Sequence, residues 1–100
     1  MPERHNEITI ALDAHEVTLT WGARQQLMAR LRHVASTARI RASIEAAGTT
    51  RPVTLRAGQK HALLHMLREW SHDRDDYEPM PLELYKLRNV LTKDLRDTEG

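Results

Sequence analysis

Hydrophobic positions along this chain first alternate and then recur at helical spacing, and they do so twice. From Glu7, the apolar residues Ile8, Ile10 and Leu12 are separated by Thr9, Ala11 and Asp13. After the polar interruption D-A-H-E the alternation resumes, with Val17, Leu19 and Trp21 against Thr18 and Thr20. Period two with β-branched residues predicts a hairpin with one apolar face. Near Thr20 the period changes. Threonine can cap a helix by accepting a hydrogen bond from a first-turn amide. Ala23, Leu27, Leu31, Val34 and Ala38 then form one stripe, with Met28 and Ala35 at its edge.

The second occurrence lies 36 residues on. Residues 17–34, VTLTWGARQQLMARLRHV, align without a gap to residues 53–70, VTLRAGQKHALLHMLREW. Identities fall at Val17/Val53, Thr18/Thr54, Leu19/Leu55, Gly22/Gly58, Leu27/Leu63, Leu31/Leu67 and Arg32/Arg68. A fixed offset with preserved polarity is the mark of an internal duplication. Extended backward, Leu12-Asp13-Ala14 corresponds to Ile44-Glu45-Ala46. On that basis Ala38, Ile40, Ala42 and Ile44 are read as a strand alternating with Arg39, Arg41, Ser43 and Glu45, although alanine favours helix. Gly48 and Pro52 punctuate the turn that follows.

A second helix is predicted from about Gly58 to Ser71, burying Leu63, Leu64, Leu67 and Trp70. The charged, proline-containing run S-H-D-R-D-D-Y-E-P-M-P then interrupts regular structure. Pro81 suits the first turn of a third helix, where its missing N–H does no harm. Leu84, Leu87, Leu91 and Leu95 recur along it at helical spacing. The expected fold class is α+β: a tandem ββα repeat, with units at about 7–35 and 38–72. Together they would form a four-stranded antiparallel sheet covered on one face by two helices. Residues 1–78 would hold this repeat domain. The C-terminal amphipathic helix, 79–100, would join the same domain or serve as a dimerisation arm.

Composition narrows the function classes. One hundred residues suit a single domain. The absence of cysteine removes disulfides, thiol catalysis and thiolate metal sites. No apolar run approaches the roughly 18 residues of a membrane span, and the start MPERHNE lacks the apolar core of a secretory signal. A cytoplasmic protein without membrane contact is therefore expected. The net charge of +1 conceals an asymmetry: residues 1–68 carry ten Arg and Lys against five acids, and residues 69–100 carry five against nine.

Candidate chemistry falls into four groups. His61, His65, Glu69 and His72 share one arc of the second predicted helix, the spacing at which imidazoles and a carboxylate can ligate one metal ion. The plainer account is a solvent-facing polar surface, and no cofactor is expected. Gly22 and Gly58 open the two predicted helices, each followed by a base, Arg24 or Lys60. Exposed helix-start amides beside a cation can hold an anion, or the glycines simply allow a tight turn against the sheet. Arg24, Arg39, Arg41, Arg51, Arg56 and Lys60 could track the phosphates of a nucleic acid, although four aromatics and no Phe leave little for base stacking. Solvated charge is the competing account. The Leu84, Leu87, Leu91 and Leu95 stripe could form an interface.

No G-x-S-x-G, P-loop or dinucleotide fingerprint occurs, and the acid pair Asp75-Asp76 lies in the charged linker. The function expected is a small non-enzymatic protein–protein interaction or regulatory module, self-associating or joined to a protein partner. The alternative is a nucleic-acid-binding protein using the Arg-rich surface of residues 24–60.

Overall fold

The computed structural model describes residues 7–34, 37–47, 51–72 and 80–99. The turn around Gly48, the acid pair Asp75-Asp76 and the stripe-edge residue Ala35 lie outside them. The described chain runs β1 (Ile8–Ala11), β2 (Glu16–Leu19), α1 (Trp21–Leu31), α2 (Ala38–Ala47), β3 (Val53–Thr54), α3 (Ala57–His72) and α4 (Leu82–Glu99).

The predicted hairpin is present. β1 and β2 pair antiparallel, with Ile8 opposite Leu19 and Ile10 opposite Val17. Ile8, Ile10 and Leu19 are buried. Thr9 and Thr18 face each other across the two strands, their hydroxyls 3.2 Å apart at the exposed surface. The class α+β holds, but the four-stranded antiparallel sheet does not. The sheet has three strands in the order β2-β1-β3, and β3 pairs with β1 in parallel, Ile10 beside Val53.

The missing strand is α2. Residues 38–47, read as alternating, are helical, so no second hairpin exists. Two forces decide this. Ala38, Ala42, Ala46 and Ala47 give the segment high helix propensity. Ile40, Ile44 and Ala47 stand at i, i+4 and i+7, so a helix buries all three on one stripe. The break in phase against α1 arises because the chain stops and restarts. After Leu31 the bonds tighten to the three-residue type, His33 to Arg30 and Val34 to Leu31. The Thr37 hydroxyl lies 2.7 Å from the Val34 carbonyl and 3.0 Å from that of Leu31, so its one proton can be shared between two carbonyls at the helix end that each already accept a backbone amide.

What the two matched stretches share is a short strand followed by a helix. Trp21 and Ala57, 36 positions apart, each open one. Trp21 does not continue the apolar face of β2: it begins α1, is 41% exposed, and lies under the Arg24 guanidinium at 4.7 Å. Neither glycine is demanded by packing, because a Cβ at Gly22 or Gly58 would meet no atom within 4 Å.

The start of α1 is fastened from outside. Thr20 caps it, its hydroxyl accepting from the Ala23 amide. Glu83, in the first turn of α4, accepts from both the Thr20 amide (3.0 Å) and the Thr20 hydroxyl (2.6 Å). A capping box normally draws that carboxylate from the third residue of the same helix. Here a different helix supplies it, and it also places negative charge at the positive end of α1. Thr20→Val and Glu83→Gln should each destabilise the fold by about 1 kcal/mol. A double-mutant cycle in urea should give clearly less than the sum of the two; strict additivity would show that the contact contributes nothing.

Candidate functional site

Two polar features stand apart from ordinary surface. The first is buried. Lys60, in the first turn of α3, is 1% exposed and Asp94, on α4, is 0% exposed. The Lys60 ammonium donates to Asp94 Oδ2 at 2.9 Å and to Asp13 Oδ2 at 2.5 Å. The other Asp94 oxygen accepts from the Ala14 amide at 2.7 Å and meets His15 Nδ1 at 3.1 Å. Asp97 stands 3.7 Å from the far nitrogen of His15. The turn between β1 and β2 is thereby pinned to α3 and α4 at one point.

Burial works against charge on Asp94. The hydrogen bonds from Lys60, the Ala14 amide and His15 outweigh it and hold the carboxyl at about 2, below an ordinary 3.8. The hydrogen bonds to Asp13 and then Asp94 raise Lys60 above 10.5, against burial. Both oxygens of the buried Asp94 and the buried Lys60 ammonium are committed to partners inside the fold. The set is a structural ion cluster. Loss of Lys60 leaves the buried Asp94 carboxylate without its cation, and loss of Asp94 leaves the buried Lys60 ammonium with Asp13 alone.

The second feature is open. A groove of about 810 Å³ runs between α2, β3 and the start of α3, lined by Arg39, Ala42, Ser43, Thr54, Arg56, Gly58 and Gln59. Arg39, Ala42 and Ser43 share one helical face at i, i+3 and i+4. Arg56 precedes α3, its amide held by Gln59 Oε1 at 2.8 Å, which fixes how the chain enters the helix. No acid stands in the first turn of α3. The amides there have no acceptor within the helix, so that end carries partial positive charge. Two guanidiniums, two hydroxyls and a helix start meet in the groove, and among the described residues no carboxylate lines it.

The predicted basic set divides accordingly. Arg39 and Arg56 come together in the groove. Arg41, two residues from Arg39, is turned away from the groove because the segment is helix and not strand. Arg51 reaches back to the Ala46 carbonyl at 3.1 Å, and Arg24 stacks on Trp21. Lys60 is enclosed and unavailable to any ligand. Leu84, Leu87 and Leu91 are fully buried and Leu95 nearly so, which places the leucine stripe of α4 in the chain's own core and not on an outer face. His61, His65, Glu69 and His72 lie on the exposed side of α3, with His65 and Glu69 paired at 3.1 Å. Among the described residues no group of three or more His, Asp or Glu could hold a metal ion.

Sequence reasoning missed the ion cluster, although its signal was present. Lys60 lies in phase with Leu63, Leu64 and Leu67, and Asp94 with Leu87, Leu91 and Leu95. Opposite charges, each inside the apolar stripe of a different helix, predict a buried pair. Comparison with protein-family models, curated proteins and solved structures found no match to this chain. Among the described residues, no helix is long and apolar enough to cross a membrane.

Lys60→Met should cost about 3–5 kcal/mol by leaving Asp94 without its cation, Asp94→Leu should cost less because Asp13 still holds Lys60, and the pair together should recover part of the loss. The Asp94 contribution is complete above its ordinary 3.8 and disappears as pH falls toward about 2. The Lys60 contribution is complete below 10.5 and declines as pH rises past it. Urea midpoints across pH 2–5 should therefore drop steeply for the wild type and less for Asp94→Asn; equal slopes would remove Asp94 from the account.

Proposed function

We propose that this chain is a non-enzymatic binding module whose working surface is the groove between α2, β3 and α3, and that its ligand is the phosphate backbone of a nucleic acid. The observation that carries the reading is the groove lining: Arg39 and Arg56 converge there with Ser43, Thr54 and the start of α3, and among the described residues no acidic side chain opposes them. Binding of this kind is electrostatic and independent of sequence. It falls with salt at a slope of about −0.9 for each phosphate neutralised. Arg39→Gln with Arg56→Gln should reduce that slope by nearly 2 in titrations with duplex DNA and duplex RNA, without changing thermal stability. Wild-type protein that shows no salt-sensitive binding at micromolar concentration would end the reading.

A second reading, contact with a protein partner or with another copy, has its own support. The large apolar side chains most exposed among the described residues are Trp21 (41%) and Leu82 (72%). They are the chain neighbours of Thr20 and Glu83, which are hydrogen-bonded to each other. The two apolar groups therefore flank one joint between α1 and α4. Solution mass by light scattering should fall on Trp21→Ser with Leu82→Ser if copies associate there; an unchanged mass removes self-association through this patch.

A further inference from the structure

The last helix carries a cationic ridge that the acidic balance of the chain's final third conceals. Lys86, Asn89, Lys93 and Arg96 follow one another at intervals of three, four and three residues, which keeps them on one side of α4. All four are exposed. Three acids of this helix are drawn to other partners: Glu83 holds Thr20, Asp94 is buried against Lys60, and Asp97, half-exposed at the ridge margin, stands 3.7 Å from His15. Among the described residues, neither lysine nor Arg96 makes an ion pair. The Asn89 carbonyl accepts from Arg88 at 3.3 Å, which leaves its amide nitrogen as an outward donor. From Lys86 to Arg96 the ridge extends about 15 Å at the helical rise.

We infer that this ridge is a second phosphate-contacting surface and that, with the groove, it selects double-stranded over single-stranded nucleic acid. The inference rests on the groove reading and extends it. Asp94 joins the last turns of α4 to Lys60 in the first turn of α3, and Gly58 and Gln59 of that same turn line the groove. The cations Lys93 and Arg96 thus lie at the end of the sheet where the groove opens. Sequence-independent binding of a single strand relies on aromatic platforms for its bases. No aromatic residue lines the groove, and none stands among the four ridge residues. A straight row of cations on a rigid helix instead matches a duplex, whose phosphates are held in fixed rows.

The experiment is a salt-dependent titration of the full chain against a duplex and a single strand of equal length, read by fluorescence anisotropy. Four proteins are compared: wild type, the ridge variant Lys86→Gln/Lys93→Gln/Arg96→Gln, the groove variant Arg39→Gln/Arg56→Gln, and a control, Arg32→Gln/Arg68→Gln, which removes two exposed charges from neither surface. The ridge variant should lose about 2.7 from the slope on duplex, and the control should lose little. Wild type should bind duplex at least about tenfold tighter than the single strand, which corresponds to about 1.4 kcal/mol. A ridge variant that binds like wild type overturns the ridge and leaves the groove standing. A groove variant that binds like wild type, beside a weakened ridge variant, overturns the groove instead. Equal loss per charge in the control, or equal binding of both strands, overturns the inference, as does comparable binding to polyglutamate, which would point to an acidic protein partner.

Discussion

An ammonium group buried to 1% exposure is the constraint on which the rest of this fold depends. Removing such a charge from water costs several kcal/mol even after relaxation, and only close, well-directed counter-charges compensate. Lys60 has two, from the β1–β2 turn and from α4. Asp94 in turn accepts from the Ala14 amide, so three elements distant in sequence meet at one pair of oxygens. The leucine stripe of α4 stabilises the helix against the core, but apolar burial is non-directional. A slide by one turn would move Asp94 about 5.4 Å along the helix axis. That would break the hydrogen bonds of Asp94 to Lys60, the Ala14 amide and His15, leaving a buried carboxylate without partners and Lys60 with Asp13 alone.

The same helix is held at its other end by Glu83, which grips Thr20 at the start of α1. Eleven residues separate the two fastenings, about 16 Å along the axis, so α4 spans the sheet like a strap tied at both ends. This arrangement has an electrostatic consequence. The carboxylates that make the ties are those that would otherwise neutralise the outer face of α4. With Glu83 and Asp94 drawn inward, Lys86, Lys93 and Arg96 face solvent on α4 together with Asp97 at their margin. Stability and surface potential come from one allocation of acids.

Much of the architecture was legible from periodicity. The β1–β2 alternation, the Thr20 cap and the stripe of α3 follow from local pattern and lie as expected; the leucines of α4 recur at helical spacing but pack into the chain's own core, where an interface was expected. Residues 38–47 did not, because the resemblance at offset 36 was allowed to outweigh alanine propensity and the i, i+4, i+7 spacing of Ile40, Ile44 and Ala47. That error carried Arg39 and Arg41 onto one strand face, where a helix separates them. The groove was illegible for a different reason. It joins α2 to β3 and the start of α3, and that meeting depends on β3 pairing in parallel with β1, a long-range choice with no local signature. Lys60 was read as a surface base because charge outranked phase.

The two strand–helix segments that align at offset 36 also show how similar sequence acquires different work. β2 runs antiparallel to β1 and β3 runs parallel to it, so α1 and α3 start at opposite ends of the sheet. At the first, Thr20 caps the helix and Glu83 arrives from α4, so the positive end of α1 already has its carboxylate. At the second, the cap is made by Gln59, which is neutral, and among the described residues no carboxylate lines the groove onto which the helix opens. Arg56 and Arg39 add positive charge to a helix end that is already positive. Among the described residues this helix start thus differs from that of α1 in charge, cationic at one end of the sheet and neutralised by Glu83 at the other.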